Sequence, residues 1–266
     1  MNAFRSALTD VMAIANARPM GDVEIREDGL AYCKVCGYPR QSRVQFPWGV
    51  QTPRCLCLCE QEQLKREQAE EKERRRREII RQNRREAFPD ASYLNMTFEN
   101  ADSDNLINIA HRFVDNFDKL KKTGQGLIFL GTVGCGKTYA SACIVNALVE
   151  KGYKCRFTSF ADILRDANHG EELTHYDLVV FDDFGVERWT DYSKEIVCSV
   201  INKLYVANVS CILSSNITIN EFNQPNDIAT ARITSRLKER CFPVVSNHKD
   251  RRTAKTDDIK NLLGID

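Results

Sequence analysis

Short apolar runs alternate with longer amphipathic segments after residue 86. The apolar runs predict β-strands at residues 127–131, 153–159, 177–183 and 209–215. The amphipathic segments predict helices at residues 138–151, 160–166 and 191–207. The runs LIFL and LVVF contain no polar position, as expected of strands covered on both faces. Strands and helices in regular succession predict an α/β fold with a parallel sheet and right-handed crossovers.

The first 86 residues follow a different pattern and predict two further segments. Residues 1–59 are rich in Cys, Gly and Pro, which favours short strands and turns over long helices. Residues 60–86 contain 18 charged residues among 27 and neither Gly nor Pro, which predicts a solvated helix that links two modules. A nucleic-acid contact by the arginines at 74–77 stays open, although interleaved Glu residues neutralise most of their field. We therefore predict a small module at 1–59, a helical linker at 60–86 and a main domain at 87–266.

Composition and charge exclude several classes of protein. The 266 residues suffice for one full-sized domain with a small appendage. Lys and Arg, 38 in total, nearly balance 37 Asp and Glu, so attraction to nucleic acid must come from local patches and not from a histone-like global charge. No apolar run reaches the roughly 18 residues of a membrane helix. Arg5 and Asp10 interrupt the apolar stretch that a secretion signal needs. We expect a soluble, cytoplasmic protein with no membrane partner.

The segment from Gly131 to Thr138, GTVGCGKT, matches the phosphate-binding pattern G-x-x-x-x-G-K-T. It lies between a predicted strand and a predicted helix, where backbone N–H groups and the helix N-terminus form a cradle for anions. Lys137 would contact the β and γ phosphates, and the Thr138 hydroxyl would bind magnesium. We predict nucleoside triphosphate binding by this loop and the residue after it: Gly131, Thr132, Val133, Gly134, Cys135, Gly136, Lys137, Thr138 and Tyr139.

Two carboxylates end the predicted strand 177–183. Asp182 follows Thr138 by 44 residues, and this spacing places the strand beside the phosphate loop. Ligands of open α/β sheets gather at the carboxyl ends of the strands. We expect Asp182 to bind magnesium together with Thr138, and Asp183 to orient the water that attacks the γ-phosphate.

From about Ala87 to the C-terminus, these motifs and their order resemble the AAA+ ATPase domain of bacterial helicase loaders of the DnaC type and of the similar IstB transposition helpers. The resemblance includes the approach segment 96–100 (MTFEN), residues 158–163 (TSFADI) and Phe184-Gly185. It implies a five-stranded parallel sheet in the order 5-1-4-3-2, ATP as the nucleotide and ATP-dependent self-assembly on DNA. Since only 14 residues follow Arg252, it also implies a minimal helical lid.

The resemblance assigns three further catalytic residues. Asn216, at the end of the strand VSCILSSN, matches the polar sensor that contacts the γ-phosphate or the attacking water. Arg236, within residues 231–240, matches the arginine finger that reaches the nucleotide of a neighbouring subunit. Arg252 matches the second sensor arginine, with Arg251 as the alternative.

Two positions leave alternatives open. Arg232, Arg236 and Arg240 are spaced four apart, so they could instead form a solvated basic stripe along one helix face. Asp183 stands where most AAA+ ATPases have Glu, and the missing methylene retracts the carboxylate by ~1.5 Å. Slow hydrolysis is the expected consequence. As an ATPase of this type, the protein is also expected to be stimulated by single-stranded DNA.

Five of the eleven cysteines lie in Cys33-x-x-Cys36 and Cys55-x-Cys57-x-Cys59. The other six are scattered through a globular stretch, which argues against a secreted disulfide scaffold. Two close thiolates on a turn supply half of a tetrahedral site, and a second pair completes it. We predict a zinc site of Cys33, Cys36, Cys57 and Cys59, with Cys55 as the alternate in the second pair.

The predicted function is that of an ATPase that loads a hexameric replicative helicase onto single-stranded DNA, with the zinc module contacting the helicase. Candidate DNA contacts, each equally compatible with a structural role, are Phe160, Arg165, Arg188 and Tyr192. A transposase-helper ATPase with the same core is the first alternative. A zinc adaptor with a weakly hydrolysing, nucleotide-gated clamp is the second, and Asp183 is the residue that favours it.

Overall fold

A computed structural model of the chain describes residues 21–166, 168, 170–185, 190–225, 227–246 and 250. The chain forms two compact units, residues 1–75 and 76–266. The division falls inside one long helix, and the sequence-based boundaries after residues 59 and 86 stay a prediction. Within the described ranges, every helix is too short or too polar to span a lipid bilayer.

The first unit contains two small antiparallel hairpins. Strands β1 (Val23–Ile25) and β2 (Ala31–Cys33) form one, and β3 (Val44–Phe46) and β4 (Gly49–Gln51) form the other. Each strand has three residues, in line with the predicted short strands and turns. Little apolar surface is buried here, because Ala31, Cys33 and Cys57 are the buried apolar residues among residues 21–60.

Helix α1 (Leu58–Ala87) covers the predicted linker and extends slightly beyond it at both ends. Most of its side chains are exposed, because charged residues occupy nearly every position. The prediction of a solvated helix is wrong at its C-terminal end, where Asn83 and Ala87 are buried. The Asn83 side-chain amide donates hydrogen bonds to the carbonyls of Gly152 (3.2 Å) and Tyr153 (3.1 Å). This end of the helix is therefore part of the second unit.

The second unit is built on a five-stranded parallel sheet. Its strands are β5 (Gly126–Gly131), β6 (Cys155–Ser159), β7 (Leu178–Phe184), β8 (Ser210–Ser215) and β9 (Cys241–Ser246). They lie in the order β6-β7-β8-β5-β9, which confirms the order implied by the resemblance. No apolar run predicted β9, because it is an edge strand with Pro243 at its centre and with Phe242 and Val245 exposed.

Helices cover both faces of the sheet. They are α2 (Asn105–Asp115), α3 (Phe117–Leu120), α4 (Lys137–Glu150), α5 (Phe160–Arg165), α6 (Asp191–Val206), α7 (Ile219–Asn223) and α8 (Ile228–Arg240). Single 3₁₀ turns occupy Ala91–Asn95, Lys121–Thr123 and Glu171–His175. Successive side chains of β5 enter opposite cores, Phe129 with α2 and α4 and Ile128 with α6 and α8. The helices predicted from sequence agree with α4, α5 and α6 to within one residue at each end.

Candidate nucleotide and metal sites

The glycine-rich loop connects β5 to α4, as the motif predicts. Gly136 precedes the helix with φ +98°, and Gly134 has φ +77°, conformations that side chains disfavour. A Cβ at Gly134 would also overlap the carboxylate of Asp250, so this position combines a positive φ with a close approach. The backbone N–H groups at the start of α4 are thereby left at the mouth of the loop.

Lys137 is buried within this loop. Its ammonium donates hydrogen bonds to the carbonyls of Gly131 (2.9 Å) and Thr132 (2.8 Å) and to Oδ1 of Asn216 (2.8 Å). The structure thus brings together the loop lysine and the predicted polar sensor, which are 79 residues apart in the chain. A cation already removed from water and held by three oxygen acceptors and by the Cys135 sulfur (3.7 Å) is positioned for charge-assisted contacts with phosphate.

Asp182 is buried at the carboxyl end of β7. It accepts hydrogen bonds from the Thr138 hydroxyl (3.1 Å) and from the Ser214 hydroxyl. Burial raises the pKa of Asp182, and the Ser214 hydrogen bond opposes that shift. The contact with Thr138 brings the end of β7 to the phosphate loop, as the spacing predicts, although β8 lies between β7 and β5 in the sheet. A hydroxyl and a carboxylate in contact are a donor set that suits magnesium.

Asp183 is exposed beside this pair and has a left-handed backbone, with φ +55°. Its N–H donates to the hydroxyl of Ser214 at 3.0 Å. Sequence reasoning missed Ser214, for which the sole signal is a pair of serines that follow the apolar run Cys-Ile-Leu at the end of the strand. One buried hydroxyl therefore touches both strand-end acids.

The approach segment packs against α4 immediately after the loop. Asn146 donates to the carbonyls of Tyr93 and Met96, each at 2.9 Å, and Tyr139 donates to the Thr97 carbonyl at 3.4 Å. Burial raises the pKa of the Tyr139 phenol. The Thr97 hydroxyl is buried without a hydrogen-bond partner among the described residues. The contacts of Asn146 and Tyr139 join the approach segment to the helix that follows the phosphate loop.

Arg236 lies half-buried on α8, with its guanidinium 4.9 Å from the centre of the Tyr205 ring. Arg240 lies over the same ring at 4.0 Å, and the Tyr205 hydroxyl donates to Glu239 at 2.7 Å. Both arginines are half-buried against Tyr205 of α6, so the stripe is only partly solvated at these two positions. Arg232 is exposed.

The predicted DNA contacts and second sensor have mixed outcomes. Phe160 is fully buried and stacks on Phe181 with ring centres 4.3 Å apart, so its assignment to DNA binding is wrong. Tyr192 is exposed, and Arg165 is exposed and pairs with Asp162 at 3.3 Å. The remaining predicted residues, Arg188, Arg251 and Arg252, lie outside the described residues.

A second candidate site lies in the first unit. The thiol sulfurs of the group Cys33, Cys36, Cys57 and Cys59 all lie within 4.8 Å of one another. Sulfurs around a tetrahedral zinc with 2.3 Å bonds are about 3.8 Å apart, so this group fits zinc. Cys55 instead donates to the Pro39 carbonyl at 3.2 Å. The group is the set of four that the sequence favoured.

The surroundings lower the pKa of two of these thiols, Cys36 and Cys57, whereas the Cys36 side chain raises the pKa of Cys59 to about 12. Backbone N–H groups of Cys59 and Tyr38 lower the pKa of the Cys36 thiol to about 6. Burial raises the pKa of Cys57, but hydrogen bonds from the Glu60 backbone and from Arg40 outweigh burial and leave it lowered. Arg40 is buried and donates to the Cys57 sulfur at 3.1 Å and to the Glu60 carboxylate at 2.6 Å. A buried guanidinium offsets part of the negative charge of four thiolates.

Three comparisons with known proteins agree with this architecture. The chain is 28% identical over 139 residues to the replicative helicase loader DnaC of Escherichia coli strain K12, a match that covers 48% of this chain and 56% of DnaC. It is 22% identical over 206 residues to the replicative helicase loader DnaI of Bacillus subtilis strain 168, covering 66% of each protein. A crystal structure of DnaI superposes with a TM-score of 0.53 and 21% identity over 62% of this chain and 95% of that chain. The DnaC match thus spans little more than half of that relative.

The family comparison covers more of the chain. The model of the IstB-like ATP binding protein family matches residues 60–256, which include most of α1, the phosphate loop, both strand-end acids and α8. The match therefore contains every residue of the candidate nucleotide site. The chain belongs to this family of DnaC- and IstB-like AAA+ ATPases.

Proposed function

We propose that this protein uses ATP to load a hexameric replicative helicase onto single-stranded DNA. The observation that carries the proposal is the cluster of Lys137, Asn216, Thr138 and Asp182, which joins the ends of three strands into one phosphate and metal site. The similarity to two helicase loaders supports the choice of partner.

The cluster assigns a task to each side chain. Lys137 exchanges its loop carbonyls for the β and γ phosphates, and Asn216 remains at its side to contact the γ-phosphate. Thr138 and Asp182 hold magnesium, which screens the phosphate charge when it is bound. The exposed Asp183 carboxylate orients the attacking water, and because it is one methylene shorter than Glu, hydrolysis is slow.

A zinc ion completes the first unit in this proposal. Cys33, Cys36, Cys57 and Cys59 bind it as thiolates, and Arg40 holds Cys57 in place. The module presents exposed apolar side chains, among them Val35 and Tyr38, on a surface that suits a protein partner. We assign the helicase contact to this module.

The direct test is capture of the helicase on a closed circle of single-stranded DNA, where a ring cannot thread over an end. The purified chain is mixed with the replicative helicase of its host, with and without ATP, and helicase retained on the circles is measured. We expect ATP-dependent capture with the wild type and none with Lys137→Ala. If the wild-type chain fails to co-elute with the helicase both with and without ATP, the proposal of helicase loading is refuted.

Self-assembly is tested by mixing two variants. Arg236→Ala keeps its own nucleotide pocket, and Lys137→Ala keeps its arginine finger. A mixture therefore contains interfaces in which an intact pocket of one variant meets an intact finger of the other. Recovery of ATP-dependent assembly or hydrolysis in the mixture supports Arg236 as a trans-acting finger. Normal assembly by Arg236→Ala alone would contradict it.

The family description supports a second candidate, an ATPase that assists a transposase. It predicts ATP-dependent binding to DNA without any complex with the helicase. The capture experiment therefore separates the two candidates. An adaptor with a nucleotide-gated clamp would bind the helicase and ATP, but its capture on DNA would persist with a non-hydrolysable analogue.

A further inference from the structure

The ladder between β7 and β8 is irregular where the two acids lie. Phe181 pairs with Leu213, and the next pair is Phe184 with Ser215. Asp182 and Asp183 therefore both lie opposite the single residue Ser214. Two residues facing one define a β-bulge, a feature that re-aims side chains at the end of a strand.

Ser214 fills the bulge with its hydroxyl. The side chain is fully buried, and its hydroxyl donates to Oδ1 of Asp182 while accepting the N–H of Asp183 at 3.0 Å. A serine hydroxyl has one donor and two acceptor sites, so one atom can serve both acids. The bulge takes the Asp183 N–H out of the regular ladder, and Ser214 supplies its partner.

The conformation held in this way is a disfavoured one. Asp183 has φ +55°, a left-handed conformation that is uncommon for residues with a Cβ, although Asp adopts it more readily than most. The next residue of β8 secures the other end of the bulge, because the Ser215 hydroxyl donates to the Phe184 carbonyl at 2.6 Å. Consecutive hydroxyls thus fix both sides of the pair of acids.

We infer that Ser214 is a positioning residue for the metal–nucleotide site, and this inference rests on the proposed ATPase function. Its hydroxyl fixes the Asp182 carboxylate against Thr138 and holds the exposed residue Asp183 in the bulge of β7. Positioning by a buried hydroxyl keeps the metal ligand in one orientation before the metal arrives.

The same strand provides a matched control. Ser210 lies four residues earlier on β8, is also fully buried, and its hydroxyl has no hydrogen-bond partner among the described residues. Ser210→Ala and Ser214→Ala therefore remove the same atom from the same strand, but only the second removes contacts to the acids. Because Ser210→Ala removes an unpaired hydroxyl and Ser214→Ala removes two hydrogen bonds, metal affinity, and not stability, is the readout that separates a positioning role from a structural one.

The experiment measures metal and nucleotide affinity separately. Fluorescent ATP analogue is titrated onto each variant in EDTA, and Mn²⁺ is then titrated in the presence of saturating ATPγS, with free Mn²⁺ followed by electron paramagnetic resonance. We expect Ser214→Ala to keep its metal-free nucleotide affinity and to bind Mn²⁺ about 10- to 100-fold more weakly. Ser210→Ala should match the wild type, and Ser214→Thr, which keeps the hydroxyl, should recover most of the Mn²⁺ affinity.

The outcomes distinguish the inference from the proposed function. Wild-type Mn²⁺ affinity in Ser214→Ala, with the wild type itself binding both ligands, would overturn the role of Ser214 alone. A wild-type chain that binds no nucleotide would overturn the proposed function and this inference with it. Thermal unfolding checks that each variant is folded, and Ser214→Cys, which is similar in volume but a weak donor, replaces the alanine variant if that variant unfolds.

Discussion

Removal of zinc should unfold the N-terminal module and leave the ATP-binding unit intact. The perturbation is either a chelator, which removes the metal ion, or a serine substitution at Cys33 or Cys36, which removes one of the four thiols. Cys55→Ser is the matched control, because that thiol contacts the Pro39 carbonyl and lies outside the group of four.

The size of the effect follows from how little else is buried. Among residues 21–60, the buried side chains are Ala31, Cys33, Cys57 and the charged Arg40. Full burial of a large apolar side chain stabilises by about 1.5–3 kcal/mol, so three small ones contribute roughly 5 kcal/mol at most. Structural zinc in small modules contributes about 10–16 kcal/mol at neutral pH. The stabilisation lost with the metal is therefore larger than the stabilisation that the apolar contacts provide.

The assay combines elemental analysis with hydrogen exchange followed by mass spectrometry. We expect about one zinc per chain in the wild type and in Cys55→Ser, and none in Cys33→Ser or Cys36→Ser. Amide protection of β2 and of residues near Arg40 should disappear with the metal, while protection of β5 and α4 should not change. The reasoning is refuted if chelation removes the zinc and β2 stays protected, or if protein purified without chelators contains no zinc.

Three further predictions concern the second unit. Lys137→Ala should weaken ATP binding by at least tenfold, since each hydrogen bond to a charged group contributes about 1.5–3 kcal/mol; equal affinity in a fluorescence titration would contradict the site. Gly126→Ala should destabilise the unit by about 1–3 kcal/mol or more in urea unfolding, because its Cβ would overlap the carbonyl of Cys211 on the adjacent strand. Hydrogen bonds from Thr230 lower the pKa of Asp227 from 3.8 to about 2, so its stabilisation is complete above pH ~4 and is lost as the pH falls towards 2. Between pH 4 and 2, the urea midpoint should fall more steeply for the wild type than for Asp227→Asn, and parallel curves would contradict this assignment.

The sequence by itself determined the features that depend on neighbouring residues. The phosphate loop, the acids ending β7 and the boundaries of α4 and α6 follow from short patterns, because a turn, an apolar strand and an amphipathic helix are each encoded within a few residues. The cysteine spacing likewise indicated four thiols of one group, since a C-x-x-C turn places two of them together whatever the rest of the chain does.

Tertiary structure decided which side chains meet across strands and helices. Phe160 follows a strand, as a DNA-binding residue would, but its ring stacks on Phe181 in the core. Arg236 has the spacing of a solvated stripe, yet its guanidinium lies half-buried over Tyr205 of another helix. The sequence around Ser214 shows only a strand residue, and the register of β7 and β8 places it opposite two acids. Such contacts join residues some 20 to 80 positions apart, and they form only when the sheet aligns its strands, so no local pattern of side chains records them.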